Sequence, residues 1–214
     1  MTLLVNEIFH SIQGESLFAG RPCVFIRMTG CNLRCTYCDT AYAYEEGTVL
    51  DIGEITTRVK SFACHLVEVT GGEPLIQHET PDLIDRLISL GHEVMLETNG
   101  SLDISSVNPE CTRILDIKCP SSGMSSRNRV ENLSLLTGRD QVKFVISNVS
   151  DYDFAKNMLA GLPTGFRHDH VLFSPASGIL PLDVLSDWIL SDHLSVRLHI
   201  QLHKFIWPNE ERGR

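Results

Sequence analysis

The chain has 214 residues, 43% of them hydrophobic and 21% charged, and a formal net charge of −9. These values describe a globular chain with enough residues for one domain, 1–214, and a sizeable core. They argue against a broad electrostatic footprint for DNA or RNA, and no apolar run is long enough to span a bilayer.

Residues 3–9 and 23–29 read as strands joined by a Gly-containing loop. Asp51 and Glu54 have N-cap and N3 spacing before Ile55, Val59 and Phe62, which predicts a helix. Residues 65–70 form a β-branched run ending on Gly71-Gly72. Thr80 and Pro81 read as an N-cap and a first helical position. Leu83, Ile84, Leu87 and Ile88 then make one apolar face, and Gly91 stops the helix. Further strands are expected over 93–98, 113–118, 141–146, 170–174 and 196–202, and further helices over 151–159 and 182–190. Strands alternating with helices indicate parallel βαβ units. Eight strands cannot all be followed by full helices in 214 residues. The expected fold is therefore α/β, a partial, open (β/α) barrel rather than a closed eightfold one, with its chemistry at the C-terminal ends of the strands.

Cys31, Cys35 and Cys38 follow the second predicted strand in C-x3-C-x2-C spacing, and no nearby cysteine completes a set of four. A [4Fe–4S] cluster has four irons that thiolates normally hold, so three in one loop leave one iron open to a small molecule. A structural zinc site needs four ligands. Cys64 or His65 could supply the fourth, but no zinc-ribbon pattern connects them, and a chance grouping is the plainer alternative. Seven cysteines is an odd count, and the first residues are too polar for a secretory signal, so reduced thiols in a cytoplasmic protein are expected. Gly71-Gly72-Glu73-Pro74 is the second motif. Its glycines allow close backbone approach, their carbonyls can accept from an ammonium group, and Glu73 adds a negative charge. An ordinary βα turn is the plainer reading. Together the two motifs resemble the radical S-adenosylmethionine superfamily, in which the open iron is chelated by the cofactor's amino and carboxylate groups.

Ser11-Ile12-Gln13-Gly14-Glu15 before the cysteine loop, Arg27 on the strand leading into it and Asp39-Thr40 after it narrow the resemblance. With them the chain resembles the 7-carboxy-7-deazaguanine synthase family over nearly its whole length, most strongly before residue 100. The resemblance implies conversion of 6-carboxy-5,6,7,8-tetrahydropterin to 7-carboxy-7-deazaguanine by radical ring contraction with loss of ammonia, in 7-deazapurine (queuosine precursor) biosynthesis. It implies a [4Fe–4S] cluster on Cys31, Cys35 and Cys38, S-adenosylmethionine, Mg²⁺, a homodimer and an external one-electron reductase of flavodoxin or ferredoxin type. Cofactor contacts then fall to Tyr37, Asp39, Gly71, Gly72, Glu73, Glu97, Lys118 and Ser121. Substrate contacts fall to Ile12, Gln13, Gly14, Glu15, Arg27, Thr70, Gln201 and His203, and the magnesium ligand to Thr40.

Plainer roles stand beside these. Arg27 can grip a carboxylate through two parallel hydrogen bonds, or serve as a surface ion-pair residue. Thr40 could only cap its loop, and Glu97 could simply pair with Lys118. His199, Gln201, His203 and Lys204 alternate along the last predicted strand, where histidines more often pack than react. Cys23, Cys64, Cys111 and Cys119 read as small buried hydrophobes. The enzymatic alternative is a glycyl-radical activating enzyme, which shares both motifs but needs neither Gln13-Gly14-Glu15 nor Arg27. The alternative of another class is a non-catalytic iron–sulfur or zinc protein. Some family members place a terminal carboxylate on the substrate, and no such contact is carried over to the tail over 207–214.

Overall fold

The computed structural model describes residues 1–210, 212 and 213. Its frame is one sheet of nine strands: β1 (Thr2–Ile12), β2 (Pro22–Met28), β3 (Thr48–Asp51), β4 (Leu66–Gly71), β5 (Glu93–Thr98), β6 (Thr112–Ile117), β7 (Gln141–Ile146), β8 (Val171–Pro175) and β9 (Arg197–Leu198). Their order is β3-β1-β2-β4-β5-β6-β7-β8-β9, with β3 and β9 as free edges, so the sheet stays open. From β2 to β9 every neighbouring pair is parallel. This is the open (β/α) architecture expected.

Three parts of the sheet differ from expectation, the first being β3, since no strand was expected over 48–51. β1 runs antiparallel to both β2 and β3, because the loop between β1 and β2 is too short for a parallel crossover. The strand expected over 196–202 pairs through only two residues. His199 N–H still reaches the Phe173 carbonyl at 2.9 Å, but Leu202 N–H turns away to the Gly14 carbonyl at 2.8 Å. That second bond pulls the chain off the sheet edge and across the end of β1, where it forms the short helix α5 (Leu202–Ile206).

The other helices are α1 (Ile52–Ser61), α2 (Thr80–Ser89), α3 (Val149–Leu159) and α4 (Leu182–Ser191). Asp51 and Glu54 form the reciprocal capping box expected before α1. Thr80 does not cap α2: the helix starts on it, and its hydroxyl donates instead to the Pro74 carbonyl at 2.7 Å. Asn148, beyond the expected start, caps α3 by accepting from Asp151 N–H. Among the described residues no helix is long and apolar enough to cross a membrane.

Strand side chains alternate between the two faces of a sheet, and that period sorts this one sharply. Val24, Ile26, Met28, Val67, Val69, Val94 and Leu96 face outward onto α1 and α2 through Ile55, Val59, Leu83, Ile84 and Leu87. Leu115, Ile117, Val142, Phe144, Ile146, Val171 and Phe173 do the same against Tyr152, Ala155, Leu185 and Ile189 of α3 and α4. The inner face is different. Its lower layer is an apolar plug of Cys23, Phe25, Leu66, Met95 and Ile114. Its upper layer, toward the C-terminal strand ends, takes the next inward positions: Arg27, Glu68, Thr70, Glu97, Asp116 and Lys143. Outer-face burial therefore stabilises the sheet and leaves the upper inner face to polar side chains.

Candidate active site

The loop after β2 carries Cys31, Cys35 and Cys38, all free thiols, the first two partly exposed and the third exposed. Gly71 and Gly72 leave β4 directly against it. A Cβ on Gly72 would stand 2.0 Å from the Gly30 carbonyl oxygen and 2.8 Å from Cys31 Cβ. A Cβ on Gly71, whose φ is +141°, would meet the Met28 carbonyl oxygen at 2.3 Å. Glu73 N–H then donates to the Gly30 carbonyl at 2.8 Å. The glycines are thus required by close approach of two backbones.

Glu73 has a fully buried carboxylate. It accepts from the Thr98 hydroxyl at 2.8 Å, Asn99 N–H at 2.6 Å and Leu75 N–H at 3.0 Å. Burial pushes this carboxyl up, and those donors pull it back. With no exposed surface, Glu73 cannot touch the ammonium group of a ligand as expected; it holds the β4 and β5 exits together instead. The Asn99 amide reaches Cys31 Sγ at 3.9 Å and Asn32 Oδ1 at 3.1 Å. From the β6 exit, the Ser121 carbonyl accepts the Thr36 hydroxyl at 2.7 Å. The cysteine loop is therefore gripped by three successive strand exits.

The upper inner face holds a compact charge network centred on Lys143. Its ammonium contacts Glu15 Oε2 at 2.9 Å, the Glu97 carboxylate and Asp116 Oδ2 at 3.3 Å. Asp116 also pairs with Lys118 at 3.1 Å. Glu97 does not pair with Lys118; its other oxygen accepts the Thr70 hydroxyl at 3.2 Å. Glu97 therefore groups with Thr70 and Glu15, on the side expected for substrate, rather than with the cofactor residues. Burial alone would raise the Glu15 carboxyl, but Lys143 and His199 hold it well below the usual carboxylate range. Burial likewise opposes ionisation of Asp116, and Lys118 and Lys143 overcome it.

Glu68 sits just beneath and has the opposite state. Burial, reinforced by the charge of Glu97, pushes it up to about 8. The Gln13 amide donates to it, while Gln13 Oε1 accepts Glu15 N–H at 2.9 Å. Gln13 is only 2% exposed and both ends of its amide are engaged. It therefore braces Glu15 rather than offering an edge to substrate, a correction to the contact expected of its side chain.

Arg27 lies between Glu7 on β1 and Thr70 on β4. Its Nε donates to Glu7 Oε1 at 2.8 Å, and the Phe9 and Tyr42 rings flank the guanidinium at 5.7 and 5.8 Å. Among the described residues no hydrogen bond uses its terminal nitrogens, so the ion pair leaves one edge of the fork open. Ile12 ends β1 half-buried, and Gly14 is buried against α5, where a Cβ would stand 2.1 Å from His203 Nδ1. Gln201 donates to Glu15 Oε1 at 2.9 Å and to Asp39 Oδ2 at 3.4 Å. Lys204 pairs with Asp39 at 2.7 Å. His199 is 4% exposed, and among the described residues neither ring nitrogen has a hydrogen-bond partner. Burial depresses its pKa, Glu15 opposes the shift, and Lys143, Arg197 and His203 add to it.

Tyr37 reaches toward the Val145 carbonyl at 3.5 Å. Ser121 is held by Asp151, which accepts its N–H, and by Asn148, which donates to its hydroxyl at 2.8 Å. The Thr40 hydroxyl does not cap the turn at Ala41–Tyr44 and donates instead to Asp39 Oδ1 at 3.1 Å. Cys23, Cys111 and Cys119 are buried as expected, whereas Cys64 is only half-buried. Cys64 and His65 precede β4 and lie at the opposite strand ends from the cysteine loop, which removes both as a fourth ligand. Glu68, Asp116 and Lys143 were not anticipated. Each is a charged residue between two apolar neighbours, the same signal that singled out Arg27.

The family model of the Radical SAM superfamily matches residues 25–116. Curated 7-carboxy-7-deazaguanine synthases of Koribacter versatilis and Chlorobaculum tepidum are 41% and 44% identical to the chain, over 98% and 99% of it and 99% and 97% of their own lengths. The chain belongs to the 7-carboxy-7-deazaguanine synthase family. The crystal structure of QueE from Escherichia coli shares the fold, with a TM-score of 0.73 at 21% identity over 95% of each chain. SuiB of Streptococcus suis, bound to its precursor peptide, is a more distant fold relative, with a TM-score of 0.59 at 13% identity over 82% of this chain and 47% of that one. Family membership sets aside both the activating-enzyme and the non-catalytic alternatives.

A radical S-adenosylmethionine synthase carries a [4Fe–4S] cluster and S-adenosylmethionine, and these residues fit both. Three free thiols are spread along one loop, so each can take its own iron. The side-chain-free backbone at Gly71 and Gly72 lies beside Cys31, where a bound cofactor needs close access.

Gly72→Ala drives a methyl into the Gly30 carbonyl and should destabilise the protein by about 1–3 kcal/mol or more, with most iron and sulfide lost on anaerobic reconstitution. Gly138→Ala, with nothing within 4 Å of its Cβ, should load normally; equal loading in both variants would refute the close-packing role. For Glu68, the raised folded value means that its stabilisation is full below its ordinary 4.5 and fades as pH rises through about 8. Glu68→Gln removes that titration. Relative to the variant, the wild type should lose stability by up to about 1.4 kcal/mol per pH unit across this window, as measured by urea unfolding under fixed reductant and cofactor. A pH-independent difference would show that Glu68 ionises normally.

Proposed function

We propose that the chain, acting as one radical S-adenosylmethionine domain over 1–214, converts 6-carboxy-5,6,7,8-tetrahydropterin to 7-carboxy-7-deazaguanine. The supporting observation is how charge is sorted on the upper inner face. Arg27 presents an open guanidinium edge, and beyond Thr70 on the next strand Glu97 and Glu15 stand as a carboxylate pair. The substrate is a planar ring with a carboxylate at one end and an amide–amino N–H edge at the other. Arginine suits the first through two parallel hydrogen bonds, and carboxylates suit the second as acceptors.

When bound, the cluster and S-adenosylmethionine supply the one-electron chemistry that takes and returns a hydrogen atom. The chain's own residues do the rest. Arg27, Thr70, Glu15 and Glu97 orient the ring, while Gln13 and Lys143 hold the carboxylates in place. Gln201 and His203 bring the C-terminal turn over Gly14 and Glu15, narrowing access for water. Tyr37, Asp39, Gly71, Gly72, Lys118 and Ser121 form the cofactor side. Thr40 and Asp39 offer adjacent oxygens for Mg²⁺, an ion that keeps several waters and shares ligands with its substrate. Seven free thiols support a reducing cytoplasm; the homodimer and the external reductase rest on the family resemblance.

Anaerobic reconstitution followed by mass spectrometry of products from 6-carboxytetrahydropterin tests the reading, and absence of the deazaguanine product would reject it. Arg27→Lys keeps the charge facing Glu7 but loses the fork. It should weaken substrate binding by roughly 10–100-fold, the size of a charge-assisted hydrogen bond, and leave S-adenosylmethionine binding intact. A tetrahydropterin lacking the carboxylate should bind both proteins equally; a loss shared by that analogue would assign Arg27 to folding. For magnesium, Thr40→Ser should preserve the stimulation of turnover and Thr40→Val should abolish it. Undiminished stimulation in the valine variant would place the ion elsewhere.

A further inference from the structure

We propose that Lys143 is a positioning residue that yokes Glu15 and Glu97 into one fixed pair of acceptors, and that this pair selects a ring edge bearing amino and amide N–H donors. The inference rests on the pterin reading above and names what enforces it. An ammonium has three donors, and Lys143 directs them at Glu15, Glu97 and Asp116. Its side chain is 7% exposed, whereas those of Glu15 and Glu97 are 19% and 23% exposed. The lysine is thus held behind the two carboxylates, which remain reachable. Each carboxylate is also fixed from its far side: Glu15 Oε1 accepts from Gln201 at 2.9 Å, and Glu97 Oε2 accepts from the Thr70 hydroxyl at 3.2 Å. An oxygen with one partner keeps a second lone pair, and those lone pairs are what a ligand can use.

Removing the ammonium would leave Glu15, Glu97 and Asp116 close together. Lys118 would remain on Asp116, and neutral His199 beside Glu15. Like charges so confined cannot all stay ionised. Glu68 already shows the outcome: a buried carboxylate on this face, facing Glu97 and Glu15 and bonded to the neutral Gln13 amide, is pushed up to about 8. A protonated Glu15 or Glu97 becomes a donor and no longer reads N–H groups. Lys143 therefore sets both the geometry and the sign of the recognition edge.

The test compares reconstituted wild type, Lys143→Met and Lys143→Arg in equilibrium binding of S-adenosylmethionine, 6-carboxytetrahydropterin and the 2-oxo analogue, whose amino donor is replaced by a carbonyl. Wild type should prefer the pterin. Lys143→Met should weaken pterin binding by about 10–100-fold and bind the analogue as before, so the preference collapses. Its pterin affinity should recover by more than the wild type's changes as pH is raised from about 6 to about 9, because the carboxylate pair regains its charge, whereas in the wild type only Glu68 beneath the pair is released in this range. Lys143→Arg should keep most of the preference. If Lys143→Met fails to load cluster, Lys143→Met with Glu97→Gln removes one negative charge as well and should load, again without preference. A variant that keeps the preference and the wild type's pH profile overturns the positioning role. Wild type without any preference overturns the pterin reading itself, and that arm needs no variant.

Discussion

Glu73 carries a carboxylate with no access to water, and the rest of the site depends on where it is tied. Its three donors come from the β5 exit and from the turn after its own strand, while its backbone N–H reaches the Gly30 carbonyl. A hydrogen bond to a charged group contributes about 1.5–3 kcal/mol, and an unsatisfied buried carboxylate costs more than that. The joint therefore has one good arrangement and expensive alternatives. Gly72 then brings the backbone to the Gly30 carbonyl with no room for a methyl. The cysteine loop, a polar segment without regular structure of its own, inherits its position from the strands through this contact. A glycine-rich turn and a cysteine motif far apart in sequence are thus two halves of one joint.

The second constraint is the strand period. Outward positions are apolar from β2 through β8 because α1 to α4 cover them. Inward positions have no covering layer above the plug of Phe25, Met95 and Ile114. A polar side chain there need not be paired with a helix, only with another inward residue one strand away. That is what Arg27, Thr70, Glu97, Asp116 and Lys143 are, in order across β2, β4, β5, β6 and β7. The antiparallel β1 adds Glu7 and, just past its end, Glu15 to the same face. Each buried charge thereby finds an opposite charge or a donor, as the cost of burying it alone demands.

Features that rest on local chemistry were legible in the sequence. The Asp51–Glu54 box needs only its own backbone, Gly91 ends α2 with φ +87°, and the β-branched runs mark the strands. Features decided by distant partners were not. Thr80 looks like a cap but spends its hydroxyl on Pro74, and Gln201 looks like a strand residue until Leu202 is drawn to Gly14. In the site, the sequence identified which motifs meet but misjudged which atoms remain free. Gln13 and Glu73 carry the right chemistry for a ligand, yet Glu68, Glu15, Thr98 and Asn99 use it up. Lys143 was missed although a lysine between Val142 and Phe144 is as unusual as an arginine between Ile26 and Met28.

One face of this sheet and its rim hold three glutamates in different states, and residue type explains none of the difference. Glu15 is held well below the ordinary range because an ammonium and an imidazole face it. Glu68, packed beneath without that pairing, is pushed up to about 8. Glu73 is raised by burial and restrained by neutral donors and, more weakly, by the charge of Lys118. Environments that drive like groups apart are how one fold sets several protonation states at a single pH. Glu68 held neutral below, with Glu15 and Asp116 held ionised above, gives a graded interior in which negative charge is concentrated where the sheet opens. The dipoles that meet a substrate there are fixed before it arrives, so little reorganisation is left for the bound state. That fixity is what an open sheet, lacking the mutual support of a closed barrel, has to obtain from ion pairs and from the C-terminal turn docked on Gly14.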